Sequence, residues 1–532
     1  MTEPGGRLVR SAGVAGAATL VSRLLGLARE TLLAAFFGAG DQMDAYFVAF
    51  RIPNLVRDLF AEGAMSAAFV PTFTRHLTLH GKADAWRLAV NLMTALALVT
   101  GGLAMAGMTF APAIVGAYAG AFSAVPGKME LTVQLTRVML PFLPLAALAA
   151  AAMGMLNSLH YYFVPALAPA TFNVASILCL VLLAPLMPSF GWPAIMAAAI
   201  GVLVGGLAQV AVQWPALARE GFRYRPHLDL RDPGLRRVLL LMGPGTIGLA
   251  ATQINLFVNT LLATSQGPGA PSWLSYAFRL MYLPIGLFGV SIATAVLPAA
   301  ARHAALDDRA AVRQTLSRGL GLMLLLNVPA TVGLVVLATP IVRLLFERGQ
   351  FLPSDTAATA SVLRWYAVGL VGYAAARIAS PVFYALGHHR VPVAISAASV
   401  GVNIVASLLL VNVMGVRGLA LATSIAALGH GLSAVWLLRG RLRGIDGVRM
   451  IWTLGKVLLA SSVMAAVVVA TDRWSAALAP GGSLVAQIAR LGIAMGAGVA
   501  ALGLSARLLR IDELDDALAR IRDRLGSSAA GG

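Results

Sequence analysis

Nine charged residues fall inside long apolar runs, where charge is costly. Arg23, Arg29 and Glu30 share the first run, Asp44, Arg51, Arg57, Asp58 and Glu62 the second, and Arg279 lies in the eighth. A charge at bilayer depth costs at least ~2.5 kcal/mol on insertion scales, so it must face a watery cavity or a partner. Bases outnumber acids in this set, and a surplus of sheltered guanidinium calls for an anionic guest. The planar fork pairs bidentately with phosphate. Snorkelling or interhelical salt bridging is the competing explanation and suits Arg57 and Arg75; Arg23, Arg29 and Arg279 lie too far from a helix end for it.

At ~100° per residue, Arg23 and Glu30 share one helical stripe, as do Asp44, Arg51, Asp58 and Glu62, whereas Arg57 points elsewhere. Pro53 interrupts the second run and allows a kink. Asp58 and Glu62, four apart, repel if both are ionised, so they are candidates either for proton coupling or for structural pairing with neighbouring arginines. No phosphate-binding glycine loop, His-rich metal motif or nucleophile elbow is present, so neither catalytic nor metal-ligating residues are expected. His388-His389 reads as a solvated turn, and Cys179 alone makes neither a disulfide framework nor a cysteine metal site.

The elements that must hold these charges are membrane helices. Residues are 59% hydrophobic and 12% charged, with mean hydropathy +0.81, well outside the range of a water-soluble domain. Windows of roughly 20 apolar residues recur about fourteen times, which predicts an all-α polytopic membrane protein. The net charge of +18 is scattered in short clusters rather than gathered on one face, which argues against nucleic acid. Those clusters alternate: Arg7 with Arg10, Arg75 to Arg87, Arg219 to Arg237, Arg302 to Arg313, Arg439 to Arg449, and Arg507 to Arg524 are basic, while the intervening loops are nearly free of cations, the one around Arg343 and Arg348 being the most charged exception. Cytoplasmic loops carry such excess, so both termini are expected in the cytoplasm.

Ala49-Phe50-Arg51 reappears as Ala277-Phe278-Arg279, and Pro71 with Arg75-His76 as Pro298 with Arg302-His303. A repeat offset by six helices predicts two lobes of the same orientation around a central cationic cavity. The expected divisions are an N-lobe over 1–217 (spans 1–6), a basic linker over 218–237, a C-lobe over 238–440 (spans 7–12), two further helices over 441–506, and a cytoplasmic tail over 507–532. Within that tail, Ile511 to Leu525 is either an amphipathic surface helix or a solvated end.

The run Ser22-Arg23-Leu24-Leu25-Gly26-Leu27-Ala28-Arg29-Glu30 is followed by Phe37-Gly38-Ala39-Gly40, Asp44 to Leu55 (DAYFVAFRIPNL) and Phe60 to Pro71 (FAEGAMSAAFVP). It closely resembles the MurJ/MviN family. Phe346-Glu347-Arg348-Gly349-Gln350-Phe351 and Ala379-Ser380-Pro381-Val382-Phe383-Tyr384-Ala385-Leu386-Gly387 look like that family's later marks. The resemblance implies a lipid II flippase of the multidrug/oligosaccharidyl-lipid/polysaccharide exporter superfamily, with two six-helix lobes plus two helices. It would move the undecaprenyl-pyrophosphate-linked peptidoglycan precursor from the cytoplasmic to the periplasmic leaflet of the bacterial inner membrane.

By motif position the resemblance makes Arg23, Arg29, Arg51, Arg57 and Arg279 the substrate-binding cations and Asp44 and Glu62 functional acids, with Glu30 and Asp58 added as gating or coupling candidates from their stripes. Phe278 and Tyr282 stand where some relatives have acids around the span-eight arginine. Asn259, Asn403 and Ser407 stand near the carboxylates of relatives that bind sodium. The coupling ion is therefore open, and membrane potential acting on the cationic cavity is an alternative. No cofactor is expected. Lipid II, membrane lipids and, as candidates, cell-wall synthesis proteins are the partners. The rival readings are an exporter of another lipid-linked glycan or a drug, and a membrane glycan polymerase.

Overall fold

The computed structural model describes residues 4–58, 65–478, 483–511 and 513–514, and the regular elements among them are all helical. The first half comprises α1 (Pro4–Phe37), α2 (Asp41–Arg57), α3 (Met65–Leu79), α4 (Lys82–Thr109), α5 (Ala111–Ala119), α6 (Lys128–Met139), α7 (Phe142–Ser158), α8 (Phe163–Leu183), α9 (Met196–Arg219) and α10 (Pro233–Thr264). The second half comprises α11 (Ala270–Pro284), α12 (Val290–Ala305), α13 (Arg309–Val336), α14 (Ala338–Phe346), α15 (Pro353–Val368), α16 (Leu370–Ala385), α17 (Arg390–Met414), α18 (Val416–Arg441), α19 (Gly447–Leu478) and α20 (Leu484–Leu508).

Helices alone can satisfy every backbone polar group without water, which is why so apolar a chain folds this way. Among the described residues ten helices are long and apolar enough to span a bilayer, and α15 with α16, bent by 41°, makes an eleventh. α1, α2 with α3, and α10 occupy the positions of the three other expected spans, and some of their side chains or the link between them lie outside what the structure describes. Side chains confirm the solvent. Val413 is 82% exposed and Val499 67%, an arrangement that water would penalise and lipid does not. Buried hydroxyls bond back to the preceding turn, as Thr132 does to the Lys128 carbonyl (2.7 Å) and Ser158 to Gly154 (2.9 Å).

The chain divides into two compact units. The first holds Met1–Ser272 together with Arg348–Phe351, and the second holds Trp273–Glu347 with Leu352–Gly532. In the first, Phe69 and Phe73 of α3, Leu92 of α4, Met155 of α7 and Val238 of α10 share a core. In the second, Val296, Leu320, Ile378, Phe383 and Leu438 tie α12, α13, α16 and α18 together. Ile511 is buried there and Leu514 packs against the same core. The start of the expected tail helix is thus folded onto protein, and its remainder lies outside the described residues. α11 passes into α12 through one π turn, Ile285–Gly289, after Pro284 removes a backbone donor.

Candidate anion site and a buried clasp

α1 carries the first two arginines. Arg29 is buried, and its Nη2 donates to Glu30 at 2.8 Å; the guanidinium also lies 5.2 Å from the ring centre of Phe172 on α8. Its Nε has no hydrogen-bond partner among the described residues. Arg23, two turns earlier, is half-buried and forms no ion pair among those residues. The amide of Asn173 donates to the Ser22 carbonyl (3.1 Å), pinning α1 to α8 at that level.

On α2, Arg57 donates to Asp58 through Nε (3.2 Å) and Nη2 (2.8 Å), and Gln253 of α10 donates to the other Asp58 oxygen at 3.3 Å. The helical-stripe argument separated Arg57 from Asp58. Adjacent positions are ~100° apart, yet a long guanidinium arm closes that angle with ease. Arg51 is half-buried beside the hydroxyl of Tyr118, whose ring stacks on Phe257 at 4.5 Å. Two arginines of the first unit thus pair with the acid that follows them, while Arg23 and Arg51 meet no carboxylate among the described residues. Glu62, and with it the expected repulsion from Asp58, lies outside the described residues.

In the second unit Arg279 is exposed on α11, about three turns from the helix start, the same depth at which Arg51 sits in α2. One turn further on, Tyr282 stacks against Phe278 (5.7 Å) and accepts from Arg377 of α16 at 2.5 Å. Arg377 was missed by the sequence reading, although it lies mid-helix in an apolar run, the criterion that selected the other arginines. Asn403 and Ser407 form an uncharged set on α17: Asn403 donates to Thr423 (3.3 Å), and Ser407 donates to Asn403 (3.4 Å). No group of three His, Cys, Asp or Glu side chains converges among the described residues.

Asp44 does something the sequence did not reveal. Fully buried at the start of α2, it accepts from the backbone of Gly269 (2.7 Å) and from the backbone and hydroxyl of Ser272 (3.1 and 2.6 Å). It thereby caps, from a distant segment, the exposed amides at the start of α11. Lys128 completes the cluster, donating to Asp41 at 2.7 Å and to Asp44 at 2.9 Å. The signal for Lys128 was a solitary lysine in a connection otherwise poor in cations.

Elsewhere in the first unit the amide of Gln350 donates to the Ala35 carbonyl at 2.9 Å, joining the end of α1 to the segment after α14. Two glycines make that approach feasible. Gly38 (φ +65°) and Gly349 (φ +59°) are left-handed, and a Cβ on either would collide with a carbonyl oxygen, of Gln350 and Ala35 respectively. The motifs Phe37-Gly38-Ala39-Gly40 and Phe346 to Phe351, remote in sequence, therefore meet.

Comparison with known proteins follows the same lines. The sequence profile described as "Lipid II flippase MurJ" matches residues 33–488. A "Probable lipid II flippase MurJ" of Rhizobium meliloti is 36% identical over 480 residues, 88% of each chain. The "Lipid II flippase MurJ" of Burkholderia cenocepacia is 37% identical over 433 residues, 80% of this chain and 82% of its own. The solved "Lipid II flippase MurJ, inward closed conformation" is similar at a TM-score of 0.77 and 26% identity, covering 93% of this chain and 99% of that one. A multidrug transporter of the MATE family in its inward-facing conformation shares the fold at 0.68 and 14% identity, over 81% of this chain and 98% of that one. With most of its length matched by the profile and by relatives above 30% identity, the chain belongs to the MurJ family of lipid II flippases.

Proposed function

We infer that this multi-pass membrane protein is a lipid II flippase, carrying the pyrophosphate-linked precursor from the cytoplasmic to the periplasmic leaflet by alternating access. The observation that carries this reading is the pair of half-buried guanidiniums, Arg23 and Arg51, without carboxylate partners among the described residues, together with the Nε of Arg29, which has no hydrogen-bond partner among them. Sheltered cationic groups of this kind suit a diphosphate and repel the cationic drugs that a multidrug exporter would take. Within the second unit Arg279 and Arg377 are further candidate cations, and Arg377 donates to the Tyr282 hydroxyl.

The prenyl tail remains in lipid while the head group is handed across. Both termini face the cytoplasm, placing the Asp44 and Gly38–Gly349 contacts toward the periplasm, where they seal the outward path. The two repeats are the rocking bodies, and α19 with α20 are the appended pair. Arginine charge moving with the cargo couples to the membrane potential at ~2.3 kcal/mol per charge per 100 mV. The chain performs no covalent chemistry in this scheme.

Depleting the protein from its bacterium and measuring lipid II in the outer leaflet tests the assignment. Surface lipid II should vanish while cytoplasmic lipid II accumulates. Persistence of surface lipid II with arrested glycan strands would instead mark a polymerase.

A further inference from the structure

We propose that Lys128 is the positioning residue of the Asp44 clasp, the buried ammonium that lets Asp44 grip residues 269–272 and whose displacement accompanies opening at that end. The proposal rests on the alternating-access reading. Lys128 is the first residue of α6, following Gly127. A cation there opposes the positive end of the helix, so nothing local recommends it. It is nonetheless almost completely buried, its side chain 2% exposed, with its ammonium 4.1 Å from the centre of the Phe122 ring.

What compensates it is distant in sequence. Asp41 and Asp44 lie 2.7 and 2.9 Å from Nζ, both from the first turn of α2. Asp44 is meanwhile committed to three donors at Gly269 and Ser272. A carboxylate with no exposed surface gains much of its charge stabilisation from an adjacent cation, and removing one member of a buried pair strands the other. Lys128 thus joins three segments: α6 which bears it, α2 which answers it, and residues 269–272, which Asp44 holds immediately before the chain enters the second unit. A simple helix cap would need no lysine. A contact that must close tightly in one state and hydrate in another is well served by a charged cluster.

The test uses the full chain in cells with Cys179→Ala and a reporter cysteine at Ala39, buried beside the clasp but outside it. An impermeant maleimide reads access to that end. Lys128→Met should raise the labelling rate about tenfold or more, given the cost of stranding a buried carboxylate. Lys128→Arg should restore the parent rate, and surface lipid II should follow the same order. On an Asp44→Asn background Lys128→Met should add nothing, because the two act as one unit. Parental labelling in Lys128→Met, or effects that multiply independently with Asp44→Asn, overturns the proposal. If Lys128→Met fails to accumulate, the Lys128→Met/Asp44→Asn pair decides. Normal abundance with fast labelling supports the clasp, and absence from the membrane refutes it. Labelling is independent of the cargo, so it stands or falls separately from the flippase assignment.

Discussion

Replacing Gly349 by alanine is the sharpest test of the contact between the end of α1 and the segment after α14. The residue is left-handed at φ +59°, where a β-carbon costs about 1–2 kcal/mol. The new methyl also points at the Ala35 carbonyl oxygen, a backbone atom that cannot rotate aside. Relief requires separating the segments, which forfeits the Gln350-to-Ala35 hydrogen bond and another 0.5–1.5 kcal/mol, roughly. Together these shift local closure by about 1.5–3.5 kcal/mol, or ~10- to 400-fold in the open fraction. Hydrogen–deuterium exchange of a peptide covering Gln350, in detergent or nanodiscs, reads that ratio as lost protection. Gly102→Ala is the control, since it has open space around its Cβ position and sits within α4; it should be neutral or stabilise by up to ~1 kcal/mol. Equal protection of Gln350 in Gly349→Ala and Gly102→Ala would refute the claim that glycine is needed for this approach.

Three further outcomes follow from the charged sites. Arg29→Ala removes the ion-pair partner of the buried Glu30 and should cost up to about 3–5 kcal/mol, seen as lost membrane abundance that Arg29→Ala/Glu30→Ala partly restores. Arg23→Ala and Arg51→Ala remove no ion pair seen among the described residues and should accumulate normally while surface lipid II falls. At the end of α9, the Lys82 ammonium (2.8 Å) and then the Tyr161 hydroxyl (2.7 Å) hold the Glu220 carboxyl below the usual range. A depressed carboxyl stabilises above its unfolded pKa of ~4.3 and loses that contribution as pH falls through the folded value. The difference in melting temperature between the parent and Lys82→Ala should therefore be constant from pH 7 to about 5 and vanish toward pH 3. A difference that grows on acidification would reverse the sign of the argument.

Sequence by itself determined the solvent, and with it the fold class. An apolar chain cannot leave its amides unpaired in lipid, so periodic runs of sufficient length must be helices, and the cation-rich loops between them mark alternate ends. It also determined which charges were anomalous, because a guanidinium in an apolar run is conspicuous without knowing its neighbours. Only the tertiary structure decided which of those charges were spent. Arg29 and Arg57 are answered by the next residue along the chain, Arg51 by a tyrosine from α5, and Asp44 by a lysine that no periodicity linked to it. The meeting of Gly38 with Gly349 was equally invisible, since two glycines 311 positions apart carry no signal of contact until the folded backbone removes the room for a side chain. Burial and partnership are properties of three-dimensional neighbours, whereas helix and membrane are dictated by the run of the chain, and the chemistry of this protein lies in the former.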